Sequence, residues 1–366
     1  MIKVLVVDDS ALTRKLFGRV LSEEADFEVA FARNGVEALE RLSSFRPDVV
    51  TLDVHMPEMD GLTCLDRIMI ERPCPVLMVS SLTAEGADAT LEALRLGAVD
   101  FVPKPEGAVS LRIDAFAPQL LQKVRAVANT KLKASRRLRE RVQHRIGGGA
   151  ALQGVSARSA IASLPVVRAA GIGVVLVGAS TGGPPALEVL LSSLPASFPW
   201  PILVAQHMPR SFTGALARRL DGICAIRVTE SVHPVLLEAG CAYIGRGDAD
   251  LIVSKRAGGL AAMCAPAHAG YLWRPSVDRL VKSAMEHLAP SQIVGVLMTG
   301  MGDDGARAMA HLHALGGKTI AEAEETAVVW GMPGELARAG GADWVLPLHE
   351  IADKLRKLAP ADASDS

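Results

Sequence analysis

The chain is poor in aromatics: its 366 residues include only four Trp, two Tyr and eight Phe. Its cores must therefore be built from aliphatic side chains, which suits packed α/β layers. It also lacks an excess of charge of either sign. Set against 40 acidic residues, 39 basic ones leave a net −1, which argues against nucleic-acid binding driven by net charge. Cysteine is scarce, with Cys64, Cys74, Cys224, Cys241 and Cys264 odd in number and never in CxxC spacing. That excludes a disulfide framework or a structural zinc site and fits a reducing cytoplasm, the expected location. No apolar run approaches the roughly twenty residues of a membrane helix. Nor does a basic lead with an apolar core precede the first strand, so neither membrane insertion nor an export signal is expected.

What is present is alternation. The length exceeds one ordinary hydrophobic core, so two domains are expected. Apolar strands KVLVV (3–7), FEVAFA (27–32), VVTLD (49–53), PVLMVS (75–80) and DFVPK (100–104) are separated by amphipathic stretches such as 11–23 and 35–42. The pattern resumes with VVLVG (174–178), PILVAQ (201–206), CAYIG (241–245), IVGVLMTG (293–300), KTIAE (318–322) and DWVLP (343–347). Strict β/α alternation predicts two doubly wound parallel-sheet domains, an α/β fold in each half. The expected boundaries are 1–125, a linker over 126–168, a second domain over 169–358 and a disordered tail over 359–366. The linker is basic, then glycine-rich, and expected to be helical over about 120–141; a solvated hinge is its plainest reading.

Chemistry gathers at strand ends. Asp8 and Asp9 follow the first strand, Asp53 ends the third, Ser80 the fourth and Lys104 the fifth. In a parallel sheet these positions open on one carboxyl edge. Three clustered carboxylates repel unless a hard divalent cation joins them, and oxygen ligands suit Mg²⁺. Taken singly, Asp8 to Ser10 read equally as a helix cap and Asp53 as a turn residue. The segments VVDDS, LDVHMPEMDG, MVSS and FVPKP together resemble a response-regulator receiver domain. That resemblance implies a flavodoxin-like fold in which Asp53 accepts a phosphoryl group from a histidine kinase. Asp8, Asp9 and Asp53 would hold Mg²⁺ with the backbone carbonyl of His55. Ser80 would be the switch hydroxyl, Phe101 the switch aromatic and Lys104 the phosphate partner.

The second half carries Ser180 in Gly178-Ala-Ser-Thr-Gly182, a G-x-S-x-G turn between a strand and a helix opened by Pro184 and Pro185. Such a turn suits a nucleophile, and equally an anion site, because helix N-terminal N–H groups face it. His207 follows the next strand, and Asp304 lies in the loop TGMGDDG. The three come from three strand ends, as a Ser-His-Asp triad requires, with loop N–H groups, Met301 among them, as oxyanion donors. Asp303 competes with Asp304 on spacing alone. A dinucleotide site lacks the G-x-G-x-x-G spacing and an acid ending the second strand. His207 alone would pass as a core histidine. His311 and His313, two apart on a helix, diverge too far to form a metal pair. The order Ser180, Asp304, His349 would fit a standard α/β-hydrolase, although His349 falls near the chain's end.

The segments GASTGGPPAL, AQHMPRSFTGALARRLD, RPSVDRL, LMTGMGDDGA and WGMP are similar to the catalytic domain of chemotaxis protein-glutamate methylesterases. The resemblance implies a Rossmann-like esterase domain with Ser180 as nucleophile, His207 as base and Asp304 as orienting acid. Thr181 would border the site and Met301 would stabilise the oxyanion. No cofactor is implied at the esterase site. It also implies a methyl-accepting chemoreceptor as substrate, deamidation of glutamine as a second activity, and gating of the esterase by the receiver. Two departures stand out. The family's usual A-P-G-x-x-H after the YI strand is Gly245-Arg-Gly-Asp-Ala-Asp250 here, and its usual glutamine after IA is Glu322. Both are expected at the substrate rim.

Overall fold

The structure, a computed structural model, describes residues 1–104, 113–130 and 173–359. The chain divides into two compact units between Val167 and Arg168. The linker expected over 126–168 lies outside the described residues from 131 onward, and the tail expected over 359–366 from 360 onward.

In the first unit, β1 (Ile2–Val7), β2 (Phe27–Ala32), β3 (Val49–Asp53), β4 (Val76–Ser80) and β5 (Asp100–Pro103) alternate with five helices. These are α1 (Ala11–Ser22), α2 (Gly35–Phe45), α3 (Gly61–Glu71), α4 (Ala84–Leu96) and α5 (Ile113–Ala128). The five strands pair in parallel in the order β2-β1-β3-β4-β5. Helices cover both faces, so the central strands read as unbroken apolar runs; Val4, Leu5, Val49, Val50 and Leu77 are fully buried. Four helices begin where a polar side chain takes an otherwise unpaired N–H: Ser10 from Thr13, Asn34 from Glu37, Asp60 from Thr63 and Thr83 from Gly86. The strand order reverses between β1 and β3, so a crevice opens where Asp8 and Asp53 end their strands.

In the second unit, seven parallel strands run in the order β15-β14-β13-β6-β7-β10-β8. They are β6 (Val174–Ala179), β7 (Ile202–Gln206), β8 (Arg227–Ser231), β10 (Cys241–Gly245), β13 (Ile293–Leu297), β14 (Lys318–Glu322) and β15 (Trp344–Leu346). The helices are α6 (Gly183–Ser192), α7 (Arg210–Ile223), α8 (Val277–Met285), α9 (Ala306–Ala314), α10 (Met332–Arg338) and α11 (Leu348–Leu358). Here the reversal lies between β6 and β13, and β7 flanks β6 on the other side. Three neighbouring strand ends therefore present Ser180, His207 and the loop bearing Asp304.

The structure adds what the alternation did not predict: β8 at one edge and a three-stranded antiparallel sheet, β11 (Ala249–Arg256), β12 (Gly259–Pro266) and β9 (Val235–Leu236). β11 and β12 form a hairpin around Ala257 and Gly258, and the buried Leu251 and Val253 of β11 join the core that includes Val277, Leu280 and Val281 of α8.

Candidate functional site

Two sites emerge, one in each unit. In the first, carboxylate oxygens of Asp8, Asp9 and Asp53 lie within 4.8 Å of one another. Asp8 and Asp53 are buried and Asp9 is exposed. Lys104 Nζ approaches Asp53 Oδ2 at 2.7 Å and Asp8 Oδ2 at 3.0 Å. Burial pushes the Asp53 carboxyl above the usual carboxylate range, and Asp8 adds to the rise; Lys104 and the His55 N–H, 3.4 Å from Oδ1, work against it without prevailing. Burial likewise disfavours the Lys104 ammonium, but Asp53 and Asp8 outweigh it and hold the pKa above the ordinary value. The site is thus short of positive charge despite its lysine. A compact set of hard oxygen donors with that deficit fits a divalent cation such as Mg²⁺.

Ser80 is fully buried, and its hydroxyl donates to the carbonyls of Gly86 at 3.1 Å and Ser81 at 3.3 Å. The Phe101 ring is buried, with Lys123 Nζ 5.2 Å from its centroid. The same ammonium bonds Asp100 and the Phe101 carbonyl, both at 2.7 Å. The His55 side chain is exposed.

In the second unit, β6 ends in Ala179 and the turn delivers Ser180. Gly182 (φ +77°) takes the left-handed conformation that caps α6. Gly300 permits the close approach of the loop after β13: a Cβ there would sit 2.8 Å from Ser180 Cβ and collide with Met332 Sδ. The Ser180 N–H donates to the Thr299 carbonyl at 3.0 Å, tying the two strand ends together. Gln206, buried at the end of β7, donates from Nε2 to the carbonyls of Ser180 at 2.9 Å and His207 at 3.2 Å.

His207 Nε2 lies 2.8 Å from Asp304 Oδ2. Asp304 is buried at the N-terminus of α8, where its oxygens accept from the N–H groups of Val277 (2.7 Å) and Asp278 (3.1 Å) and from Ser276 Oγ (3.1 Å). Burial alone would raise the Asp304 carboxyl. The imidazole and the helix N–H groups outweigh it and hold the carboxyl below the usual range, as a helix N-terminus favours an anion. An ionised carboxylate only accepts, so Nε2 carries the proton. Nδ1 is then the basic nitrogen, and it is buried with no partner among the described residues. No hydrogen bond joins Ser180 Oγ to His207 among these residues; such contacts commonly tighten only with substrate bound. Trp273 lies parallel to the imidazole, with centroids 5.2 Å apart at 8°.

The alternatives fall away on position. Asp303 is exposed beside Arg307. His349 is 71% exposed and faces Glu350, which removes it from any triad. His313 bonds Asp343 at 3.0 Å, and His311 is exposed. Met301 is buried in the loop beside Ser180, and its N–H has no acceptor among the described residues. Thr181, expected to border the site, has a buried side chain, and its carbonyl accepts from Thr299 Oγ1 at 2.8 Å.

Two rim expectations are corrected. Glu322 is fully buried and accepts from the Thr299 N–H at 2.8 Å, supporting the loop from beneath. Asp250 is buried too, bonded to the Ser276 N–H and Arg279. Arg246 is half-buried and pairs with Asp248. Gln206, Thr299 and Trp273 escaped the sequence reading. Gln206 lies inside the singled-out segment AQHMP, and Trp273 immediately precedes RPSVDRL.

Comparison with known proteins bears on both units. The response regulator receiver domain family matches residues 4–114, and the CheB methylesterase family matches 175–355. A protein-glutamate methylesterase/protein-glutamine glutaminase of Rhodopseudomonas palustris is 55% identical over 366 residues, all of both chains. One from Rhodospirillum rubrum is 52% identical over 97% of this chain and 95% of its own. The crystal structure of the Thermotoga maritima CheB methylesterase catalytic domain is 38% identical and covers 51% of this chain and 98% of that one, at a TM-score of 0.49. Identity sustained over the full length of such relatives means that the chain belongs to the CheB methylesterases, with a response regulator receiver domain ahead of the esterase domain.

Proposed function

We propose that this chain hydrolyses methyl esters of glutamate side chains on methyl-accepting chemoreceptors, releasing glutamate and methanol, and deamidates receptor glutamines by the same route. The observation that carries the reading is the His207–Asp304 pair, protonated at Nε2 and left with a buried, unpartnered Nδ1 one strand away from Ser180. Nδ1 takes the Ser180 proton as Oγ attacks the ester carbonyl. Asp304 steadies the imidazolium, and the Met301 N–H, free of other acceptors, receives the oxyanion. Nδ1 returns the proton to the departing methanol. Water then attacks the acyl-serine, giving its proton to Nδ1, and glutamate is released. A glutamine side chain enters the same sequence with ammonia as the leaving group.

In the receiver domain, Asp53 is the proposed phosphoacceptor, supplied by a histidine kinase. Asp8, Asp9 and Asp53, with the His55 carbonyl, would hold Mg²⁺, which when bound neutralises phosphoryl oxygens. A phosphoryl group on Asp53 adds about two negative charges and strong acceptors. Lys104 is already 2.7 Å from Asp53, and the Ser80 hydroxyl would leave the Gly86 carbonyl for a phosphoryl oxygen. That shift bears on the Phe101 segment and biases a two-state element that gates access to Ser180. The proposed setting is the cytoplasm, where receptor signalling helices and kinase meet. No helix among the described residues is long and apolar enough to cross a membrane.

The test is methanol release from methylated receptor by the intact chain, with and without a phosphoryl mimic at Asp53. Ser180→Ala is expected to lower the rate by at least about a thousandfold. Full activity in that variant would overturn the nucleophile assignment, and an unchanged rate with the mimic would overturn the gating.

A further inference from the structure

A helix N-terminus leaves its first N–H groups without intrahelical partners, and buried ones need acceptors from elsewhere. At the start of α8 three side chains meet the whole set. The Ser276 N–H donates to Asp250 Oδ1 at 2.9 Å. The next two, from Val277 and Asp278, donate to Asp304. The Arg279 N–H donates to Ser276 Oγ at 3.3 Å, and that hydroxyl donates onward to Asp304 Oδ1. Asp250 is 1% exposed, so its charge is tolerable only with a partner. Arg279 is that partner, and its guanidinium also reaches the Pro266 carbonyl on β12.

Asp250 touches none of the reacting groups, yet three of the four contacts on Asp304 come from Ser276, Val277 and Asp278. Whatever fixes the Ser276 backbone therefore fixes the cradle in which Asp304 sits, and through it the imidazole. Resting on the reading of Ser180, His207 and Asp304 as a hydrolytic triad, we propose that Asp250 is a positioning residue for ester hydrolysis. It clamps the Ser276 N–H and so sets the angle at which Asp304 presents His207. The small antiparallel sheet gains a role by this account, because its strand β11 carries Asp250 under the end of α8.

The experiment compares intact wild type, Ser180→Ala, Asp250→Ala, Asp250→Asn and Ser276→Ala. It measures kcat and KM for methanol release from membranes bearing a chemoreceptor with labelled methyl esters, and Tm. Misplacement of a catalytic group by an ångström can cost on the order of a hundredfold, so Asp250→Ala is expected to lower kcat roughly ten- to a hundredfold with KM within about twofold. Asp250→Asn keeps an oxygen for the Ser276 N–H and is expected to hold kcat within about threefold, although it shares the loss of Tm from the broken Arg279 pair. Ser276→Ala removes the hydroxyl contact with Asp304 but keeps the N–H that Asp250 holds, so it is expected to lower kcat and the addition of Asp250→Ala to lower it further. The proposal is overturned if Asp250→Ala lowers Tm but leaves kcat within about twofold, or if Asp250→Asn falls as far as Asp250→Ala. Should Asp250→Ala not fold, Asp250→Ser decides, its side chain being too short to hold the Ser276 N–H: a kcat within about twofold of wild type removes the link. A wild type that releases no methanol overturns the esterase reading itself.

Discussion

Asp53 and Asp304 stand at matching places, each at the carboxyl edge of a parallel sheet beside the point where strand order reverses, and each is buried. Burial disfavours the charge on both, yet the outcomes are opposite. Asp53 sits with a second buried carboxylate, and one lysine shared between the two does not make up the deficit, so its pKa rises. Asp304 sits at the head of α8, takes two backbone N–H groups, a hydroxyl and an imidazole, and its pKa falls. The difference lies in donors rather than in depth. Asp53 is an anion awaiting a cation or an electrophile, as a phosphoacceptor needs to be. Asp304 is an anion already complete, as an orienting residue needs to be.

The comparison breaks most visibly at Asp304. Asparagine there keeps the size but removes the fixed charge, and its NH₂ group would oppose the N–H donors of α8. Imidazole orientation is then lost, and kcat for ester hydrolysis is expected to fall on the order of 10³- to 10⁴-fold. Asp303→Asn, one residue away but exposed, is the control, with an expected change within about threefold. Comparable losses in the two variants would mean that the adjacent aspartates had been assigned in the wrong order.

A smaller effect is expected at Trp273, whose parallel contact with His207 holds the ring from the side opposite in kind to Asp304, through its face rather than its nitrogen. Stacked aromatic contacts contribute about 1 kcal/mol beyond burial, so Trp273→Ala should lower kcat/KM by roughly fivefold and Trp273→Phe by less. An unchanged kcat/KM for Trp273→Ala would show that the hydrogen bond to Asp304 alone fixes the imidazole.

How much of this was legible in the sequence follows from the same contrast. The apolar runs of both parallel sheets announce themselves because strands buried on both faces need no alternation, and the strand ends then place Asp8, Asp53, Lys104, Ser180 and His207 by topology alone. Asp304 against Asp303 was not decidable from spacing. What separates them is the start of α8, some 27 residues earlier in the chain and joined to Asp304 only by the fold. Asp250 and Glu322 looked like rim residues because charged side chains usually face water, and only their long-range partners, Arg279 and the Thr299 N–H, explain their burial. The β11–β12 hairpin did leave a trace. LIVS (251–254) alternates buried and half-buried positions, and a Gly-Gly pair follows four residues on, but a strand that interrupts β/α alternation is hard to weigh against it.

The smallest effects carry the sharpest form of the comparison, because they concern sign. A carboxyl whose folded pKa is lowered contributes stability that is present above its unfolded value, near 3.8, and lost as pH falls through the folded one. One whose folded pKa is raised behaves in reverse, and its ionisation costs stability as pH climbs from the unfolded value through the folded one. At pH 7, without added divalent cation, the same Asp→Asn exchange should therefore act oppositely in the two units. Asp304→Asn should destabilise the second by about 3 kcal/mol, the cost of disrupting a buried, charge-assisted network. Asp53→Asn removes a net-penalised charge and should raise the stability of the first, by on the order of 1 kcal/mol. The chain separates the two readouts by composition, since all four tryptophans, Trp200, Trp273, Trp330 and Trp344, lie in the second unit. Tryptophan fluorescence on heating follows that unit alone, whereas calorimetry follows both. A fall in Tm for Asp53→Asn at pH 7 would mean that the bond to Lys104 outweighs burial and the Asp8 charge, and the two aspartates would then differ in degree rather than in kind.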